Sequence, residues 1–307
     1  MFKTIVVPLD GSQLAERVLP VAARLAAQDA ARLCLVRAPV TEKMYLPAAD
    51  GYGLLYPEQY FGAANTEALE YLKIVQSRQA GHGFTVAGEV VEGDPASVIV
   101  DTARLNRADL IAMSSHGYSG LTRWILGSVA ERVLRAADCP VLVLRSSEPM
   151  RRLLITLDGS KISEHVLEPA LELARTVGAS ICLLRAVPEL SSLELSELDD
   201  FESGLGQRIL YEHREEAEQY LAARAEPFEH ANVPASCLVR PGPAATVILK
   251  TIEEQAIDLV AIATHGRTGL RRWIYGSVTE KILHSVGCSM LVVRPATHEL
   301  RLSLKPE

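Results

Sequence analysis

Residues 111–145, IAMSSHGYSGLTRWILGSVAERVLRAADCPVLVLR, read as a buried strand, a glycine-rich turn, a helix and a second buried strand. Residues 260–294 say it again: His116, Gly117, Gly120, Leu121, Arg123, Trp124, Gly127, Ser128, Val129, Glu131 and Arg145 all recur 149 positions on, as His265 through Arg294. The chain is an internal duplication. Within one copy, Ile111 to Met113 ends an apolar run, and Gly117 and Gly120 permit turn conformations that a side chain would resist. Gly127-Ser128 then stands where a helix carrying apolar Val129, Val133 and Leu134 begins. A strand feeding a glycine turn and a helix N-terminus makes an anion cradle, because the first-turn N–H groups lack helical partners and the dipole's positive end points outward. Phosphate is the expected guest. The plainer alternative, a tight turn followed by an ordinary capped helix, stays open on these residues alone.

SSHGYSGLTRWILGSVAERVL and ATHGRTGLRRWIYGSVTEKIL resemble the nucleotide loop of the universal stress protein family. The family pattern in ATP-binding members is a glycine, two residues, a glycine, nine residues, then glycine with serine or threonine. Gly117 with Gly127-Ser128, and Gly266 with Gly276-Ser277, match its second part. Ser114 and Ala263 stand where the first glycine belongs. The resemblance covers nearly all of both halves and implies two tandem repeats of a five-stranded doubly wound parallel sheet, the adenine nucleotide alpha hydrolase-like α/β fold. The expected domains are 1–148 and 149–296, with 297–307 a polar tail.

The pattern along the chain agrees with that fold. Lys3–Leu9 is an unbroken apolar run ending near Pro8. Asp10-Gly11-Ser12 turns the chain, and an Ala- and Leu-rich helix is expected to about Ala27; an apolar strand feeding a helix points to a parallel sheet covered on both faces. Asp10 therefore lies at a strand's carboxyl end, where open α/β sheets bind ligands, although a turn or N-cap carboxylate explains it equally well. Strands are expected over 33–38, 84–91, 108–114 and 140–145, with helices over 66–79 and from Pro95 to Leu105. Residues 39–65, with Tyr45, Tyr52, Tyr56, Tyr60 and Phe61, read as a long loop. RRLLITLDGS restarts the pattern, placing Thr156 where Pro8 was and Asp158 where Asp10 was. In the second half the corresponding loop, PELSSLELSELDDFESGLG, holds six carboxylates and precedes a charged helix over 207–225.

Carried over residue by residue, the resemblance implies ATP contacts at Pro8, Asp10, Ala38, Met113, Ser114, Gly117, Gly127, Ser128 and Val129. The second set is Thr156, Asp158, Ala186, Ile262, Ala263, Gly266, Gly276, Ser277 and Val278. His116 and His265 join the sets as turn histidines bonding backbone or phosphate, since no second ligand stands at metal spacing nearby. No residue is assigned as catalytic or as a metal ligand. Mg²⁺ would ride on the phosphates. The first repeat is expected to be the better site: Pro8 stiffens its turn, its loop offers tyrosines to an adenine face, and the acidic loop opposes polyphosphate in the second. Arg267, beside Gly266, is the counter-argument, as a guanidinium there suits phosphate.

Composition bounds the partners. Lys and Arg number 31 against 38 Asp and Glu, a net charge of -7, and neither half is basic, so nucleic acid is not an expected partner. The five cysteines are odd in number and lack C-x-x-C spacing; they read as buried thiols in a reducing compartment. No apolar run approaches the roughly 18 residues of a membrane span, and MFKTIVVPLDGS opens on a strand without a leader, so a cytoplasmic location is expected. The resemblance implies a stress-linked regulatory module binding adenine nucleotide and an unidentified protein partner. It also implies an intramolecular pseudo-dimer formed through the last strands, Val141–Leu144 beside Met290–Val293, with room for a further homodimer. Two other classes are weighed. One is an interaction scaffold of the same fold without nucleotide, in keeping with Ser114 and Ala263. The other is an enzyme with slow ATP hydrolysis, against which PLDGS and TLDGS offer no pyrophosphate loop and no base paired to a nucleophile.

Overall fold

The computed structural model describes residues 2–39, 45–48, 51–54, 58–115, 126–146, 148–264 and 276–294, with backbone alone at 45–63. In the first repeat β1 (Thr4–Pro8) leads to α1 (Gln13–Glu16), α2 (Leu19–Gln28) and β2 (Arg32–Arg37). There follow β3 (Tyr45–Ala48), β4 (Gly51–Leu54), α3 (Glu58–Gln79), β5 (Thr85–Val90), α4 (Pro95–Leu105), β6 (Leu110–Ser114), α5 (Ser128–Ala136) and β7 (Val141–Leu144). The second repeat runs through β8 (Arg152–Thr156), α6 (Lys161–Glu164), α7 (Leu167–Val177), β9 (Ser180–Val187), α8 (Ser192–Phe201) and α9 (Leu205–His230). It finishes with β10 (Ala235–Pro241), α10 (Ala244–Glu254), β11 (Leu259–Ala263), α11 (Ser277–Ser285) and β12 (Ser289–Val293).

The chain forms two compact units, the first reaching Ala137 and the second beginning, for the strands, at Asp138. In the first unit the strand order is β6-β1-β2-β5, all parallel. Ile5, Val6, Val7, Leu33 and Ile111 lie at 0 % exposure, which is why these strands read as unbroken apolar runs instead of alternating ones. In the second unit the order is β10-β9-β8-β11-β12-β7, parallel except where β7 joins β12. That pair is antiparallel, with Val143 opposite Met290, Leu142 opposite Leu291 and Val141 opposite Val292. The two last strands are thus neighbours, and β7 belongs by its contacts with β12 to the second compact unit.

Both sheets are clamped at their amino ends in the same way. The Asp109 carboxylate accepts from the N–H groups of Lys3 (2.9 Å) and Thr4 (2.8 Å), and Asp258 accepts from Arg151 (2.8 Å) and Arg152 (3.0 Å).

Four expectations need correction. The first helix is broken into α1 and α2, because Pro20 has no N–H to donate to Glu16; Arg17 closes the short helix on Leu14 instead. Pro169 stands just inside α7 in the same way. The long loop of 39–65 contains the antiparallel pair β3–β4, and α3 starts at Glu58. The acidic loop of the second repeat is largely helix α8, started by a capping box in which the Ser191 hydroxyl accepts from the Glu194 N–H and the Glu194 carboxylate accepts from the Ser191 N–H (2.8 Å). Of the cysteines, Cys34 and Cys182 are buried, Cys139 and Cys288 half-buried, and Cys237 exposed on β10, the edge strand of its unit.

Among the described residues no helix is long and apolar enough to cross a membrane.

Candidate functional site

The order of the strands, not their direction, reverses between β1 and β6 and again between β8 and β11, and the carboxyl ends of strands at such a switch point are where open α/β sheets bind ligands. β1 and β6 meet at Val6 and Ile111, and that register continued by two residues brings Pro8 level with Met113. β8 and β11 meet at Ile155 and Ala261, which sets Thr156 beside Ile262. Met113 and Ile262 are each only 5 % exposed, so what they offer a ligand is backbone. Thr156 is buried and directs its hydroxyl to the Ala261 carbonyl at 3.5 Å, a bond Pro8 cannot make.

The Asp-Gly-Ser turns have one geometry in both copies. The Asp10 carboxylate accepts from the Ser12 N–H at 2.9 Å, and the Ser12 hydroxyl accepts from Ala15 N–H at 3.1 Å as the cap of α1. Asp158 and Ser160 repeat these bonds at 2.9 and 3.1 Å. Gly11 and Gly159 hold φ of +90° and +87°, which an L side chain resists. Asp10 is half-buried, and Asp158 is exposed. Ala38 sits just past the end of β2 and Ala186 within β9; both are half-buried.

The helix that begins at Ser128 meets the end of β6 directly. Gly127 donates its N–H to the Ser115 carbonyl at 3.0 Å, and a Cβ on Gly127 would lie 2.7 Å from that oxygen. Beyond it the amides of Ser128 and Val129 open the first turn of α5, which has no side-chain cap. Gly276 begins α11 alike, with Ser277 and Val278 following, but no described atom lies within 4 Å of where its Cβ would be. His116, Gly117, His265, Gly266, Tyr118 and Arg267 fall outside the described residues.

A further difference lies under the helices. Asp94 caps α4, accepting from the Ser97 N–H at 3.0 Å, and it grips Arg132 of α5 through two bonds of 2.7 and 2.6 Å. Arg132, and then the Ser97 amide, pull the Asp94 carboxyl down to about 2. In the second repeat Pro243 and Lys281 stand at these positions, so α11 has no such tether to α10.

Each repeat also holds a cluster that the sequence analysis did not single out. Arg37, at the end of β2, lays its guanidinium against Gly11 and over the Tyr71 ring, 5.0 Å from its centroid. Tyr71 donates its hydroxyl to Glu16 at 2.9 Å, and Arg78 pairs with the same carboxylate at 3.0 Å. Arg185, Gly159, Tyr220 and Glu164 rebuild this arrangement, with the Tyr220–Glu164 bond at 3.0 Å and Arg224 taking the place of Arg78. Burial first, then the bond to Glu164, pushes the Tyr220 phenol up to about 12; Tyr71 is raised by the same causes. A signal was present, because the arginine and the glutamate recur 148 positions on, like Asp10 and Asp158, and the tyrosine 149.

A family model described as the Universal stress protein family matches this chain twice, over residues 1–145 and 149–294. A universal stress protein of Mycobacterium tuberculosis is 29% identical over 224 residues, covering 70% of this chain and 71% of its own. One from Methanocaldococcus jannaschii is 36% identical over 146 residues, 47% of this chain and 83% of its own. Among solved structures, a universal stress protein of Archaeoglobus fulgidus superposes with a TM-score of 0.69 at 19% identity, over 95% of this chain and 98% of that one. A Pseudomonas aeruginosa protein described as a putative member gives 0.69 at 20% identity, over 99% and 98%. At such identities the likeness concerns the fold.

Proposed function

This chain belongs to the universal stress protein family, in two tandem copies, and from that premise we propose that it is a cytoplasmic regulatory module of the stress response that binds ATP with Mg²⁺. The observation that carries the reading is the abutment of β6 on α5. The strand ends where the helix begins, held by the Gly127–Ser115 bond, so the first-turn amides of Ser128 and Val129, which have no partner within the helix, open at the carboxyl end of the sheet. Asp10 stands at the end of the neighbouring strand.

The residues fit the nucleotide. Gly127, Ser128 and Val129 would take phosphates, Asp10 with the backbone of Met113 and Ser114 the ribose, and Ala38 with Pro8 the base. His116 and Gly117 would close the phosphate turn. In the second repeat Gly276, Ser277, Val278, Asp158, Ile262, Ala263, Ala186, Thr156, His265 and Gly266 take the matching parts. Mg²⁺ would neutralise the phosphates with water as its other ligands. The first repeat is the stronger site, since Arg132 ties α5 to Asp94 and thereby steadies the amides that face the ligand. A nucleotide state that reshapes a surface for a protein partner is regulatory and needs no catalytic residue.

A second reading, a scaffold of the same fold that holds no nucleotide, rests on Ser114 and Ala263, whose side chains occupy the place of a glycine. Mass spectrometry of the small molecule released when the freshly purified protein is denatured separates the two. Adenine nucleotide near one per chain supports the proposal. Empty protein that shows no heat of binding with ATP and Mg²⁺ refutes it, and steady phosphate release abolished by Asp10→Ala would instead make the protein a slow ATPase.

A further inference from the structure

The Arg37 guanidinium is unusually placed for a surface-facing arginine. Its side chain is 12% exposed, and its ion pair among the described residues, 3.3 Å to Glu67, is with a carboxylate that is itself 74% exposed. Arg185 is 18% exposed and reaches Glu216, 70% exposed, at 3.4 Å. Pairs of this kind contribute little, because water screens them and both side chains lose freedom. Neither arginine is therefore kept in place by its salt bridge.

Stacking accounts for the position better. A Cβ built on Gly11 would meet Arg37 Nη2, Cζ and Nη1 at 3.2, 3.3 and 3.4 Å, so the guanidinium lies flat across the glycine. On Gly159 the distances to Arg185 are 3.1, 3.2 and 3.5 Å for the same three atoms. The guanidinium carbons also lie over the tyrosine rings, each centroid 5.0 Å from Cζ. A guanidinium is planar and weakly hydrated, so it can stack this way, whereas an ammonium cannot. Tyr71 and Tyr220 are themselves pinned by Glu16 and Glu164. The stack bears on the middle residue of the turn whose first residue is Asp10 or Asp158.

We propose that Arg37 and Arg185 are positioning residues for the two ligand sites, each pressing an Asp-Gly-Ser turn into the form that aims its aspartate along the strand end. This inference rests on the nucleotide reading above for its ligand, and on the stacking geometry alone for its action on the turn. The arginines touch no ligand. They act through Gly11 and Gly159, and the partial burial of a charge in both copies is the cost of that restraint.

The test uses the intact chain with Arg37→Met, Arg37→Lys and Glu67→Gln, read in two ways: hydrogen exchange at the Gly11 and Ser12 amides, and calorimetric titration with ATP and Mg²⁺. Arg37→Met is expected to raise exchange at these amides and to weaken the first site by about tenfold, while the melting midpoint moves little. Arg37→Lys should behave like Arg37→Met, because its charge remains but the flat stack is gone. Glu67→Gln should leave both readouts unchanged. Arg185→Met should produce the same exchange at Gly159 and Ser160, and no change at Gly11. Full rescue by lysine, loss on Glu67→Gln, or faster exchange with unchanged affinity each overturns the proposal. Unchanged exchange in Arg37→Met overturns it whether or not nucleotide binds. A wild-type protein that takes up no ATP removes the nucleotide reading, and faster exchange in Arg37→Met then still supports the restraint on the turn.

Discussion

Replacing Gly127 and Gly276 by alanine, one at a time, asks the same question of both copies with a built-in control. At Gly127 the new Cβ would stand 2.7 Å from the Ser115 carbonyl oxygen, short of the 3.4 Å of ordinary contact by about 0.7 Å. The obstacle is backbone, so it cannot swing aside as a side chain would. Separation of the segments stretches the 3.0 Å bond from Gly127 N–H to that same oxygen. The lost hydrogen bond is worth about 0.5–1.5 kcal/mol, and overpacking adds about 1–3 kcal/mol. Gly127→Ala should then cost about 2–4 kcal/mol, a fall of about 7–14 °C in melting midpoint for a unit of this size. At Gly276 the backbone, with φ of -57° and ψ of 145°, suits alanine, and no described atom is in the way. Gly276→Ala should lie near neutral, because a less free unfolded chain offsets the poorer N-cap that alanine makes. Thermal and urea unfolding followed by circular dichroism would decide. Equal losses from the two substitutions, or none from Gly127→Ala, would refute the reasoning.

Arg145 gives the carbonyls of Leu283 (2.7 Å) and Val286 its guanidinium N–H groups, closing the C-terminus of α11; Arg145→Met should destabilise the second unit by about 2–4 kcal/mol in urea unfolding, with Arg145→Lys recovering only part. Asp94→Ala removes the cap of α4 together with the grip on Arg132, so a loss of about 1 kcal/mol or somewhat more is expected, whereas Pro243→Ala, at the same place in the second repeat, should show no comparable loss. Tyr71 and Tyr220 are phenols whose folded values lie above the unfolded value of about 10. Their contribution is complete below pH of about 10 and is lost as pH climbs through about 12, because the unfolded chain gives up those protons first; stability that held level across this window, or rose, would contradict the cluster. In thiol labelling of the native protein at pH 8, Cys237 should react first, while Cys288, half-buried and pushed up to about 11 by burial, stays slow.

The parallel sheet was legible because strands buried on both faces leave unbroken apolar runs, and because the duplication let each copy be read against the other. The need for glycine at 127 was legible too, but its cause was not: a sequence does not say which backbone passes close by, and here it is Ser115. Six carboxylates drew residues 188–206 towards a loop reading, although Ser191 with Glu194 three residues on is the spacing of a capping box. Arg37 and Arg185 carry no local signal in the sequence. Their meaning depends on a tyrosine 34 or 35 positions later in the chain, brought alongside by α3 or α9, and local pattern does not reach that far.

The allegiance of β7 to β12 decides where this chain can be cut. A fragment starting at 149, the natural choice from the repeat, would leave Met290, Leu291 and Val292 facing nothing where Val143, Leu142 and Val141 had been. An uncovered strand edge recruits whatever chain will complete it, so such a fragment should pair with itself or precipitate, while one starting at 138 keeps β12 covered and presents an edge of β7 instead. The stretch that was copied and the compact unit of the fold differ by one strand, and that strand sets which edge a half of this protein exposes.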